Sequence, residues 1–390
     1  MGTRSKTSVI IVGAGIVGAA AAYFLARAGY CVKLIEAEAP AAGATGAADG
    51  AVSVASKRPG PMMDAALAGV ALYRSLERVG LFAGLFKTRP TLMVAQDDDE
   101  IAVLERHGEA LARAGADVSI HGAGHARALV PALSDAVRLM VEVKGEGHAI
   151  GYEIVARLIE AAGVAVDRRR RALSLELSPD GTAVEAIVTD GGTRRADHFV
   201  IAAGGGSATL LGLGYALRPR KGQLAVTERA PALAAALPGS LMSCRYLLSK
   251  SAAGETVASG ERRFGLVIDP LRTGQLLIGG TREETADRRN DMAAIRRLMA
   301  EAVDLLAPVA GLRLLRVFAG VRTATADGRP LIGRMPGLSN LVVATGFEGD
   351  GICLGPLAGR IVRQLISGEA VDIDLEPFDP ARFRNRSLAA

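Results

Sequence analysis

The stretch SVIIVGAGIVGAAAAYFLARAGYCVKLIE, residues 8–36, decides the fold. Ser8 to Val12 is a short β-branched run of the kind buried on both faces of a parallel sheet. Gly13-Ala-Gly15-Ile-Val-Gly18 follows at once, and the helix formers from Ala19 to Ala28 stop at Gly29. Tyr30 to Ile35 reads as a second strand and ends in Glu36. The first glycine permits the tight turn, the second lets a pyrophosphate approach the backbone, and the third lets helix and strand pack closely. The helix start adds free amides for the phosphate. Glu36 lies 18 residues after Gly18, where a carboxylate accepts hydrogen bonds from both ribose hydroxyls. The unit predicts an adenine dinucleotide site, and its acid disfavours the 2′-phosphate of NADP.

That unit alone leaves NAD and FAD open. The next segment, Gly43-Ala-Thr45-Gly46-Ala-Ala-Asp-Gly50, is a small-residue loop where a nicotinamide dehydrogenase would resume a helix or strand. Such a loop brings backbone amides and the Thr45 hydroxyl close to a flat ring system, which favours a flavin.

Working outward, the 390 residues suit two to three domains. Hydrophobic residues at 49% and charged residues at 22% exclude disorder. The net charge of +5 is carried almost wholly by arginine, 39 of the 46 basic residues. With no Trp and 4% aromatics there are few platforms for stacking bases, so a nucleic-acid partner is not expected. The four-arginine run Arg168–Arg171 reads as solvation of a sheet edge. Cys31, Cys244 and Cys353 are too scattered for a disulfide framework or a Cys-x-x-Cys site, which fits a cytoplasmic protein without a metal site of its own. His121 and His125, separated by two glycines, read as a surface loop. Ser8 to Ala26 is an uncharged run that hydropathy alone would flag as a membrane span, but the strand–turn–helix unit accounts for it better.

Farther along, helices are predicted at Met62–Val79, Ile101–Ala114 (capped by Asp97 and Glu100), Gly151–Ala162, Asp291–Ala307 and Leu357–Ser367. Strands at Leu217–Thr227, Phe264–Ile268 and Gln275–Ile278 suggest an antiparallel sheet. His198 to Ala202 is another apolar strand, and Ala203-Gly204 after it offers a second backbone approach to the dinucleotide. The fold class is therefore α/β (α+β), a Rossmann-type dinucleotide domain interleaved with an antiparallel-sheet substrate domain. The expected limits are 1–56, 145–215 and 315–390 for the first, and 57–144 and 216–314 for the second.

Two late segments carry the remaining chemistry: AGVRTATADGRPLIG around Arg322, and ATGFEGDGICLGP through residues 344–356. Together with GAGIVG…Glu36, the GATG loop and VIAAGGGS, they make the chain resemble the D-amino acid oxidase/glycine oxidase superfamily of FAD enzymes over almost its whole length. VSVASKRPGP (52–61) and GQLLIGGTRE (274–283) are most similar to the flavin β subunits of heteromeric hydroxyproline, proline and opine dehydrogenases and of hydrogen cyanide synthase. The resemblance implies that Arg322 grips a substrate carboxylate over the flavin and that Gly349, Asp350, Gly351 and Ile352 turn beside the flavin N1/O2 edge. Gly13, Gly15, Ile16, Val17, Gly18, Glu36, Ala37, Thr45, Gly46, Ala172, Ala203, Gly204 and Gly320 complete the expected FAD set. Tyr246 and Glu348 are the polar candidates for substrate contact. Lys57, next to Arg58, is the candidate for the phosphate of an FMN between subunits, with an iron–sulfur cluster on a partner subunit. Phe347 stands where relatives often carry His, and Gly206 where many carry Trp.

The implied activity is oxidation of the C–N bond of an amino or imino acid, with hydride passing to flavin N5 in a heteromeric dehydrogenase. The alternatives are a stand-alone glycine oxidase-like or D-amino acid oxidase using oxygen, and a non-catalytic structural or electron-relay flavin subunit.

Overall fold

The computed structural model describes residues 6–251 and 261–386, so 1–5, 252–260 and 387–390 of the expected domain ranges lie outside the described residues. Ser8–Val12 forms the centre of a six-stranded sheet in the order Leu331–Arg334, Leu341–Thr345, His198–Ile201, Ser8–Val12, Cys31–Glu36, Val166–Arg168. Every pairing is parallel except that of Leu331–Arg334 with Leu341–Thr345. Val9 and Ile11 enter one hydrophobic core while Ile10 and Val12 enter another, which is why the strand is apolar at consecutive positions.

The helix Ile16–Arg27 packs closely against the helix Gly351–Ser367. A Cβ at Gly359 would lie 2.5 Å from the Ala20 Cβ, and one at Gly355 would lie 2.7 Å from Ile16, so two glycines set this approach. Gly351–Ser367 begins six residues earlier than predicted and carries Pro356 in its interior. The ring removes the donor that would reach the Ile352 carbonyl, and the buried Tyr73 hydroxyl donates to that carbonyl instead at 2.8 Å. The replacement bond explains how the helix passes through a proline.

A second, eight-stranded sheet is ordered Leu314–Thr325, Leu217–Thr227, Leu276–Glu283, Arg262–Pro270, Ser240–Ser243, Thr91–Ala95, Leu139–Val143, Val118–Gly122. It is antiparallel except between Ser240–Ser243 and Thr91–Ala95. The mixed α/β architecture expected from sequence is thus present, and the chain crosses between the sheets several times. The strand Leu314–Thr325 lies in the antiparallel sheet, and the parallel sheet receives the chain again only at Leu331.

The helix Asp98–Arg113 starts as its sequence dictates: Asp97 accepts from the Glu100 amide at 2.9 Å, and Glu100 accepts from the Gln96 amide at 2.9 Å. His121 and His125 do not form the expected loop. Val118–Gly122 runs straight into a short helix, Ala123–Leu129, and the two rings stack at 4.3 Å. The apolar run Ser8–Ala26 is divided between a strand and a helix; among the described residues no helix is long and apolar enough to cross a membrane.

Candidate functional site

A cleft of about 610 Å³ follows the C-terminal ends of the parallel strands, the place where open α/β sheets take ligands. At one end Glu36 closes its strand. Its carboxylate accepts from the Ala14 amide at 2.8 Å and the Glu38 amide at 2.9 Å, which fixes the loop and leaves lone pairs toward the cleft. Ala37 and Ala172 line this end. So do Arg170 and Arg171, so the arginine run does more than solvate an edge: Arg170 is held by Asp167 at 3.6 Å and Asp190 at 3.3 Å beside the cleft wall.

The middle of the cleft is a cradle of backbone. Gly13 has φ +104°, and a Cβ there would lie 2.4 Å from the Ala202 carbonyl oxygen. A Cβ at Gly18 would lie 1.9 Å from the Gly13 carbonyl oxygen. Gly15, Ile16 and Val17 line the cleft at the helix start, faced by Ala203 and Gly204. Thr45 also lines the cleft, and its hydroxyl accepts from the Ile16 amide at 3.1 Å, at the mouth of that helix. Gly46 and Gly320 do not line the cleft. A Cβ at Gly46 would strike the Ala41 carbonyl oxygen at 2.3 Å, and one at Gly320 would strike Ala47 at 2.6 Å, so both allow close packing of the loop. Side chains at positions 13 and 18 would push the turn off the Ala202 backbone and off the helix start, and Gly15 leaves the cleft beside that helix start without a side chain, so the residues present fit a dinucleotide.

At the far end the two sheets meet. Arg322, Glu348, Gly349, Gly351 and Ile352 line the cleft, while Tyr246, Asp350 and Lys57 sit in adjoining recesses. Arg322 donates to the Thr281 carbonyl at 3.2 Å, and among the described residues no carboxylate lies within ion-pair distance of it. Burial first, and the neighbouring Arg282 charge second, hold its pKa below the usual arginine value. Glu348 has φ +47° and is not free to meet a ligand alone: Arg220 Nη1 is 2.9 Å and Arg282 Nε 3.7 Å from its Oε1.

Lys57 is not on an exposed basic loop. It is 6% exposed and ion-paired to Asp350, while Arg58 alone stays at the surface. Burial opposes the ammonium charge, yet Asp350 overcomes this and raises the Lys57 pKa. Its Nζ therefore serves an internal carboxylate, which corrects the reading of Lys57 as a phosphate ligand facing another subunit. Sequence reasoning also passed over Arg282. It sits within the GGTRE segment, but no local pattern shows that strand pairing brings it beside Tyr246 and Arg322.

Fold and site together define a dinucleotide-dependent protein of the α/β class with a cationic pocket at one end of the nucleotide cleft. The model of the family described as FAD dependent oxidoreductase matches residues 8–365, and the chain belongs to that family. The glycine oxidase of Geobacillus kaustophilus (strain HTA426) is 29% identical over 392 residues, 97% of this chain and 97% of that protein. A crystal structure of glycine oxidase from Geobacillus kaustophilus matches with a TM-score of 0.83 at 26% identity, covering 96% of this chain and 98% of that one. The hydrogen cyanide synthase subunit HcnC of Pseudomonas protegens is 29% identical over 210 residues, 52% of this chain and 45% of that protein. The L-proline dehydrogenase of P.horikoshii shares the fold, with a TM-score of 0.84 at 21% identity over 98% of this chain and 99% of that one.

Proposed function

We propose that the chain oxidises the C–N bond of a small carboxylated amine or imino acid, using bound FAD. The observation that carries this reading is Arg322, a guanidinium on the cleft wall with no carboxylate of its own among the described residues. A bidentate arginine–carboxylate pair fixes the orientation of the carbon next to the carboxylate. Gly349 lines the cleft next to Arg322, its Cβ position 4.0 Å from Arg322 Nε. Leu224 and Phe347 give the cleft apolar walls that limit water at this end. FAD, held by residues 13–18, Glu36 and the turn at 349–352, supplies the hydride acceptor. A substrate amine that binds unprotonated needs no strong base to lose its hydride.

The division into a dinucleotide domain and a substrate domain belongs to this proposal, with Arg322 on the substrate sheet and the FAD turn on the other. Two assemblies are compatible with the chemistry. The full-length likeness to glycine oxidase supports a self-contained oxidase. The half-length likeness to HcnC, a subunit of hydrogen cyanide synthase, supports a subunit of a heteromeric dehydrogenase, in which Lys57, paired with Asp350, would not hold an FMN. A cytoplasmic location accords with three cysteines that are all free.

The test is to purify the protein, alone and with co-expressed genomic neighbours, and to identify the flavin released on denaturation. FAD in both preparations supports the reading; a preparation that binds no flavin in either form overturns it.

A further inference from the structure

Arg322 shares its recess with a second arginine. Arg282, on the strand Leu276–Glu283, lines the same cavity of about 20 Å³ together with Tyr246, Leu224 and Val267. Its side chain is only 10% exposed. Nη2 donates to the Tyr246 hydroxyl at 3.1 Å, and Nε lies 3.7 Å from Glu348. Nη1 is buried and, among the described residues, has no hydrogen-bond partner. A buried guanidinium N–H without an acceptor loses its hydration and gains nothing in return, so this atom is built to meet something.

The charges nearby do not supply the acceptor. Lys57 is matched by Asp350, and Arg220 takes Glu284 at 2.9 Å as well as Glu348 at 2.9 Å. Asp269 is taken by Arg89. Asp49, the other carboxylate on the recess, accepts from the Ala51 amide at 3.1 Å and is within ion-pair distance of neither Arg282 nor Arg322 among the described residues. Two guanidiniums thus face the recess with only a share of Glu348 between them. One carboxylate on the fork of Arg322 leaves Arg282 Nη1 bare.

We infer that the substrate carries a second acidic group, received by Arg282, and is therefore a dicarboxylic amine or imino diacid. The recess has room for a group of about carboxylate size, which places the second acid on a short arm. The inference rests on the proposed oxidation of a carboxylated amine.

The test compares iminodiacetate with its monoamide on the FAD-loaded protein, a pair that differs in one charge and hardly in shape. The diacid is expected to give a kcat/KM higher by about 10- to 100-fold. Arg282→Gln should bring the ratio close to one, and Arg282→Lys should restore part of it. Binding is read separately, without turnover, from perturbation of the flavin absorbance by acetate and malonate; malonate should bind at least about 10-fold tighter in the native protein, and not in Arg282→Gln. Equal handling of each pair by the native protein, or ratios unmoved by Arg282→Gln, overturns the inference. If the monoacids are bound and oxidised normally, that result leaves the proposed oxidation standing. Failure of that oxidation shows instead as absence of turnover with every carboxylated amine, and the malonate comparison still decides the role of Arg282.

Discussion

Arg220 and Arg322 stand directly opposite each other on neighbouring antiparallel strands, yet among the described residues only Arg220 is given carboxylates. Residues paired in this way share a face of the sheet, so the difference is not one of orientation. Glu284 and Glu348 neutralise Arg220 and hold the wall, while Arg322 keeps its charge for the cleft.

Removing Glu348 tests that division. Glu348→Ala leaves Arg220 with Glu284 and Arg282 with the Tyr246 hydroxyl but no carboxylate, and should cost about 1–3 kcal/mol in urea unfolding. Glu348→Gly should cost less, because glycine relieves the φ of +47° that Glu348 adopts. Equal losses in the two variants would remove the backbone part of this account.

The cradle makes a sharper prediction. Gly13→Ala and Gly18→Ala each place a Cβ within 2.4 Å of a carbonyl oxygen. Both proteins should purify with little FAD and be less stable by a few kcal/mol. The flavin-to-protein absorbance ratio reports the first effect and chemical unfolding the second.

Lys57 and Asp350 form a buried pair, with side-chain exposures of 7% and 17%. Lys57→Met takes the buried cation from the Asp350 carboxylate and should destabilise the fold by about 3–5 kcal/mol, most of it recovered when Asp350→Asn is added. A double-mutant cycle with no coupling between the two positions would contradict the pairing.

His148 gives the fold an acid limit. Burial first and the Arg89 charge second lower its pKa from 6.5 to about 4, while its Nε2 sits 2.8 Å from the Asp49 carbonyl. Below about pH 6.5 the unfolded chain takes a proton that the folded chain refuses until about pH 4. Stability should therefore fall as the pH drops through that window, by on the order of 3 kcal/mol, and be unaffected by this group above it. His148→Asn should flatten that part of the stability–pH curve.

The nucleotide half of the site was legible in the sequence because its parts are neighbours along the chain. Strand, glycine turn, helix and Glu36 fall within residues 8–36, and each position has one steric or electrostatic reason. The substrate half was legible only through resemblance. Tyr246 meets Arg282 across 36 residues, and Lys57 meets Asp350 across 293, so the partners are set by sheet register and helix packing. That is why Lys57 looked like an exposed cation and Arg282 like an ordinary strand residue. The bond from the Ile16 amide to Thr45 was not legible either, because composition does not say which way a hydroxyl points.

The most direct measurement is the kcat/KM of Arg322→Ala on a carboxylated amine and on the same amine without its carboxylate, with FAD content checked in each preparation. Loss of about 10²- to 10³-fold on the first substrate alone, at normal FAD content, is the predicted result. Wild-type efficiency on the carboxylated amine, or an equal loss on both, would contradict the assignment of Arg322 as the group that receives the substrate.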